Sequence, residues 1–160
     1  MKLLNEELVM TQEDKELLLK DLCARLPYEI KGIRIYKPEE VVTLNEVIPR
    51  CRMNPNIGNG SFCELGFDKI SDCCTITEFK PYLLPMSSMT DVEQEELKQE
   101  HIKDEKLYVE YLTRAAKGDS SMRGKVIIHY VMDWCNKNHF DYRGLIEKGL
   151  AIDATGLNIY

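Results

Sequence analysis

The chain has 160 residues, 44% hydrophobic and 30% charged, which are ordinary globular proportions and enough length for one domain to bury its own core. Its net charge of -6 disfavours nucleic acid as a partner, because broad phosphate contact needs clustered Lys and Arg, and the only tight basic grouping is Arg50-Cys51-Arg52. No segment approaches the ~20 apolar residues of a membrane span, and Glu6 and Glu7 stand where a signal peptide would have its apolar core, so a cytoplasmic protein without membrane contact is expected.

In chain order, residues 1–10 form an N-terminal extension without a clear role, Met10 being an alternative start. Thr11 and Asp14 have capping-box spacing and predict a helix from about Gln12 to Arg25. Its apolar stripe is Leu18, Leu19, Leu22, Cys23 and Leu26, and Pro27 stops it. The segment that follows reads as β. Tyr28 to Tyr36 carries Ile30, Ile33 and Ile35, whose change of parity around Gly32 predicts a bulge. Val41 to Ile48 is β-branched and pairs with it through a turn at Lys37 to Glu40. Pro49 to Gly60, dense in Pro, Asn and Gly, reads as a long loop. Ser61 to Phe67 and Cys73 to Phe79 read as further strands, the second supported by Thr75, Ile76 and Thr77.

Phe79 to Thr90 is an extended connection stiffened by Pro81 and Pro85. It reads as a strap laying Tyr82 and Leu83 across the core, the alternative being a polyproline-type ligand for a partner. Thr90 with Glu93 makes a capping box and opens a helix from Asp91 to Lys117, ending at Gly118. At 1.5 Å per residue that helix is ~40 Å long, comparable with the diameter of a domain this size. A third helix, about Met122 to Lys137, buries Ile127, Ile128, Val131, Trp134 and Cys135. After it, Asp141 stands as an N-cap, Phe140 and Leu145 as a hydrophobic staple, Tyr142 to Lys148 as a short helix, and Gly149 as its C′ residue.

Cys23, Cys51, Cys63, Cys73, Cys74 and Cys135 contain no C-x-x-C pair, and Cys73 and Cys74 point to opposite faces of a strand. Free thiols are expected, rather than disulfides or zinc.

Three blocks carry a resemblance: Glu13 to Tyr28 (EDKELLLKDLCARLPY), Lys80 to Thr90 (KPYLLPMSSMT) and His139 to Ala151 (HFDYRGLIEKGLA). Together they resemble a group of uncharacterised proteins of gut Bacteroidetes met in phage-like and mobile-element contexts. The resemblance covers both ends and the middle of the chain and is least in the β segment from Ile33 to Cys74. It implies a shared architecture, leaves function open, and carries over no catalytic or binding residues.

Several constellations bear on chemistry. Cys135, His139 and Asp141 lie close enough in sequence for a nucleophile, base and orienting acid, although Cys135 sits on the apolar stripe and Asp141 is a helix cap. Cys63 is a second thiol that could use His139. His129 and Asp133 share a helix face at i,i+4, a spacing able to hold a metal, on a face with Lys125 and Asn136 that otherwise reads as solvated. His101 reads as packed or solvated. Gly58-Asn59-Gly60 lacks the Lys-Ser/Thr of a phosphate loop and reads as a turn.

The expectation is an α+β protein: an N-terminal helix, a small bent antiparallel sheet or SH3-like barrel, and a C-terminal helical segment of three helices. Residues 1–10 are an extension, 11–89 the helix and β part, and 90–160 the helical segment packed on it as one compact unit. No cofactor and no metal are expected. The leading functional expectation is a non-enzymatic protein-interaction or accessory module of a phage or mobile element, with an unidentified protein partner. The alternatives are a small thiol-dependent hydrolase built on a Cys/His pair, and nucleic-acid binding through the sheet by Phe62, Phe67, Arg50 and Arg52.

Overall fold

A computed structural model describes residues 10–54, 58–67, 70–100 and 130–160, with residues 49–54, 58–63, 70–72, 98 and 100 described by their backbone. Helix α1 (Gln12–Arg25) opens on the expected capping box: Asp14 N donates to Thr11 Oγ1 at 3.1 Å, and Thr11 N donates to Asp14 Oδ2 at 3.3 Å. Its buried face is Leu18, Asp21, Leu22 and Arg25, an i, i+3, i+4, i+7 set, while Cys23 is exposed and Leu19 half-buried. The inward stripe is therefore rotated away from the one drawn through Cys23, and two of its positions are charged. A 3-10 turn at Leu26–Tyr28 with Pro27 inside it ends the helix, and Glu29 at φ 54° turns the chain into the sheet.

The strands are β1 (Lys31–Arg34), β2 (Lys37–Asn54), β3 (Gly58–Phe67), β4 (Ile70–Thr75) and β5 (Phe79–Pro85), followed by β6 (Phe140–Asp141) and β7 (Ile152–Asp153). Among the described residues the sheet has seven strands in the order β4-β3-β2-β1-β5-β6, with β7 also on β5. From β4 to β5 every pairing is antiparallel; β6 and β7 run parallel to β5. The strap at Lys80–Pro85 is thus a central strand, with Tyr82 and Leu83 buried as expected.

Register shifts at Ile33/Arg34, Leu44/Glu46 and Leu65/Phe67 bend the strands. The first is the bulge expected in β1, one residue further on than Gly32. Curvature is visible in one ring pair. Phe67 of β3 and Phe79 of β5 lie three strand spacings apart in order, ~14 Å in a flat sheet, yet their ring centroids are 5.5 Å apart. The sheet curls to bring them together. Gly32 makes room for that: a Cβ there would meet the Phe79 ring and the Lys80 carbonyl at 2.5 Å.

Three parts of the β reading are corrected. The turn expected at Lys37–Glu40 falls at Ile35–Tyr36, and β2 already begins at Lys37, paired with Arg34. The loop expected over Pro49–Gly60 is a continuation of β2 and β3, paired from Pro49↔Cys63 to Asn54↔Gly58. Beyond Ile48↔Glu64 these two strands pair only with each other among the described residues, since β1 meets β2 between Lys37 and Thr43, and β4 meets β3 between Glu64 and Phe67. A proline lacking its N–H is tolerated where the second edge of a strand has no partner, which is Pro49's position. The strand expected over Cys73–Phe79 is interrupted at Ile76–Glu78 by a 3-10 turn, because Thr75 and Glu78 form a capping box of their own.

Helix α2 (Asp91–Glu100 over the described residues) starts on the Thr90/Glu93 capping box, with Thr90 N donating to Glu93 Oε2 at 2.7 Å and Glu93 N to Thr90 Oγ1 at 3.3 Å. Its expected course to Lys117 and its stop at Gly118 lie outside the described residues, as do His101, Lys125, Ile127, Ile128, His129 and the start of the third helix at Met122. Helix α3 occupies residues 130–137. The short helix expected at Tyr142–Lys148 is instead a chain of turns, because Gly144 at φ 72° breaks the helical path near its start. Its end nevertheless closes as a Schellman motif: Leu150 N donates to Leu145 O at 2.9 Å and Gly149 N to Ile146 O at 3.0 Å, with Gly149 at φ 70°.

One core cluster joins α1 (Leu18, Leu22) to the sheet (Val42, Leu44, Leu65, Phe67, Phe79, Leu83) and to Leu145, Leu150 and Ala151. A smaller one holds Trp134, Cys135 and Phe140, the Trp134 and Phe140 rings stacked at 5.5 Å. The Phe140/Leu145 staple does not form, since the two residues belong to different clusters.

Candidate functional site

Asp21 and Arg25 face inward from α1 with no exposed side-chain surface. Arg25 Nε and Nη2 donate to the two Asp21 carboxylate oxygens at 2.7 and 3.1 Å. The same guanidinium reaches across the core, Nη1 to Cys135 O at 3.3 Å and Nη2 to Phe140 O at 2.8 Å. Arg143 Nε adds a second cation to Asp21 Oδ1 at 3.1 Å. The Tyr142 ring lies beside both guanidiniums, 5.5 Å from Arg25 and 4.7 Å from Arg143, and its hydroxyl donates to Asn136 Oδ1 at 3.1 Å. A buried ion pair needs its remaining donors and acceptors satisfied, and here backbone carbonyls complete the set. The centre clamps α1 to the end of α3 and to β6. The apolar stripe alone does not reveal it; the Asp21/Arg25 pair at i,i+4 beside Leu18 and Leu22 is the signal the sequence carries.

The three residues of the possible thiol triad fall into separate structural tasks. Cys135 is fully buried beside Trp134, and burial raises its thiol pKa, partly offset by Arg25. Asp141 is buried and accepts from Leu145 N at 2.9 Å and Ile146 N at 2.8 Å, one amide on each oxygen. It caps a turn as expected of a cap, but holds amides four and five residues ahead. His139 stands at φ 61°, 8% exposed, with Nδ1 lacking any hydrogen-bond partner. Burial, then the nearby charges of Arg25 and Lys31, lower its pKa to about 4. A thiol kept protonated and an imidazole with its acid partner engaged elsewhere do not make an activated nucleophile.

Of the remaining sequence candidates, Asp133 is exposed and accepts from the Tyr28 hydroxyl at 2.6 Å. Asn136 is buried rather than on a solvated face. No group of three His, Cys, Asp or Glu placed to hold a metal occurs among the described residues. Cys23, Cys73, Cys74 and Cys135 are not in disulfides; Cys73 is exposed and Cys74 buried, the opposite faces expected, and burial pushes the Cys74 thiol up to about 12. Phe67 is in the core against Phe79 and offers no platform to a base.

His139 has one close neighbour that the sequence did not pair with it. Its ring stacks on Tyr160 at 3.6 Å between centroids and 7° between planes. The Tyr160 hydroxyl donates to Tyr82 O at 2.9 Å and accepts from Lys31 N at 3.2 Å. Burial, opposed by the Lys31 backbone bond, raises the phenol pKa to about 12, although Tyr160 as a residue is 44% exposed. The hydroxyl is the enclosed part.

No protein family, curated protein or solved structure matches the chain. None of the described helices is long and apolar enough to cross a membrane.

Proposed function

We propose that the chain is a non-enzymatic protein-interaction module, an accessory protein of a phage or mobile element acting in the cytoplasm, and that it engages its partner through the two-stranded ribbon Pro49–Asn54/Gly58–Cys63. The carrying observation is the ladder: from Pro49↔Cys63 outward the ribbon has no third strand among the described residues, and a strand edge of that kind is a template for strand addition. Arg50 and Arg52 are the only charged residues between Pro49 and Cys63, in a chain whose net charge is -6. The ribbon is thus a locally basic element on an acidic body and favours an acidic partner surface. The polar centre supports the same reading, because Asp21, Arg25 and Arg143 bind one another and the backbone. The phage or mobile-element setting rests on the three sequence blocks described above.

The test replaces residues 49–63 by Asn-Gly, joining the paired residues Ile48 and Glu64. Host proteins captured by the full-length chain should be lost with the shortened one and with Arg50→Glu/Arg52→Glu, while the circular dichroism of the body stays unchanged. Capture that survives both changes sinks the ribbon as the docking element. A second reading, nucleic-acid binding, takes support from the same basic two-stranded ribbon, a shape that enters a major groove. It requires a Kd for duplex DNA that weakens steeply with salt and is lost in the Arg50/Arg52 variant.

A further inference from the structure

The ladder between β1 and β5 ends at Gly32↔Pro81. Pro81 has no N–H, and on the next rung, between Lys31 and Tyr82, the bridging group is the hydroxyl of Tyr160. It accepts from Lys31 N at 3.2 Å, donates to Tyr82 O at 2.9 Å and lies 3.4 Å from Lys31 O. Lys31 also grips the main chain beside it, Nζ donating to Ile159 O at 2.8 Å and lying 5.6 Å from the Tyr160 ring centroid. The floor is His139, 8% exposed and fixed from below by Leu84 N donating to His139 O at 2.9 Å. Every feature reads a tyrosine: a flat buried ring to stack on, an ammonium nearby, and strand backbone groups at hydroxyl distance.

The floor is His139, just before β6 and held by Leu84 of β5, the wall is Lys31 of β1, and the occupant arrives on a separate segment. That segment leaves the sheet after β7 through Gly156 at φ 74°, where an added Cβ would have nothing within 4 Å. Tyr160 remains 44% exposed in place. Beneath it the buried Nδ1 of His139 has no partner, an unsatisfied polar atom that the covering ring leaves unanswered.

We propose that the His139 face, Lys31 and the Tyr82 carbonyl form a receptor for a tyrosyl side chain carried on an extended segment, occupied in cis by Tyr160 and opened when a partner protein's tyrosine takes its place. The chain's own tyrosine seated there identifies the ligand chemistry. The slot gives the interaction module a second contact and rests on that reading only for who supplies the tyrosine. The ribbon takes no part in the peptide titration below, so the two ideas fail separately.

The experiment uses the full chain carrying Tyr160→Ala and a synthetic peptide of the sequence Asp-Ala-Thr-Gly-Leu-Asn-Ile-Tyr, titrated by calorimetry. Saturable one-to-one binding is expected, with the same peptide ending in Phe about tenfold weaker for loss of the hydroxyl bonds. A folded variant that binds neither peptide, or both equally, overturns the proposal. Should Tyr160→Ala not fold, the wild-type chain labelled with 3-fluorotyrosine gives the answer. Excess peptide should move the Tyr160 fluorine resonance to its solvent position, and an unmoved resonance overturns the slot. A wild-type dimer that the peptide dissolves would assign the tyrosine to a second copy of the chain and overturn the partner.

Discussion

His139 contributes to the acid sensitivity of the fold. Its folded pKa of about 4 lies below the unfolded value of 6.5, so as pH falls the unfolded chain takes the proton first. Stability from this residue is complete above 6.5 and declines through the window down to about 4, by about 3 kcal/mol in total. The charges facing the ring are Arg25 and Lys31, both cations that oppose protonation, with Tyr160 stacked on it. Urea unfolding between pH 7 and pH 4.5 should show the decline, and His139→Asn, which tolerates the positive φ, should flatten it by about 1.4 kcal/mol per pH unit. An unchanged slope would place the titration elsewhere. The thiols divide by the same physics. Cys23 and Cys73 are exposed whereas Cys135 is buried with its pKa raised, so alkylation at neutral pH followed by mass spectrometry should label Cys135 at least about 100-fold more slowly. Rapid labelling of Cys135 would revive the thiol-enzyme reading.

At the scale of elements, the buried charge on α1 decides how the helix docks. Asp21 balances two guanidiniums, Arg25 and Arg143, at 2.7 and 3.1 Å. Asp21→Ala should lower stability by about 4 kcal/mol, because removing one member of a buried pair leaves charge uncompensated. Asp21→Ala with Arg25→Met should recover much of the loss, and thermal unfolding of the two variants checks it. The elements also show what a sequence discloses. Both helix starts were legible, since Thr11/Asp14 and Thr90/Glu93 act over three residues. So was the stop at Gly149, a φ of 70° suited to glycine. Arg25 was not, because its carbonyl partners lie 110 and 115 residues away. The ribbon was hidden by its own composition: Gly58, Gly60 and Pro49 signal turns, yet only pairing across the strands makes them a ladder. The tyrosine slot joins Lys31, Tyr82, His139 and Tyr160, residues that no local pattern connects.

Across the whole molecule, the curled sheet and α1 form a body, and the ribbon continues β2 and β3 beyond it. Its rungs beyond Ile48↔Glu64 engage no third strand among the described residues, and a lone two-stranded hairpin adds little stability in water. The chain shortened at the ribbon should therefore melt within a few degrees of the full-length protein. A drop of more than about 10 °C would mean that the ribbon packs on the body. The body itself depends on residues far apart in the chain. Strand β5 pairs with β1 on one side of the sequence and with β6 and β7 from its far end. Arg25 waits for the carbonyl groups of Cys135 and Phe140. On a ribosome this order of synthesis has a cost. Before residues 135–153 have been made, α1 and the early strands exist with the Asp21/Arg25 pair short of its carbonyl partners and β5 lacking two neighbours. Until those residues emerge the nascent sheet is incomplete, and Arg25 finds its last two hydrogen bonds only then.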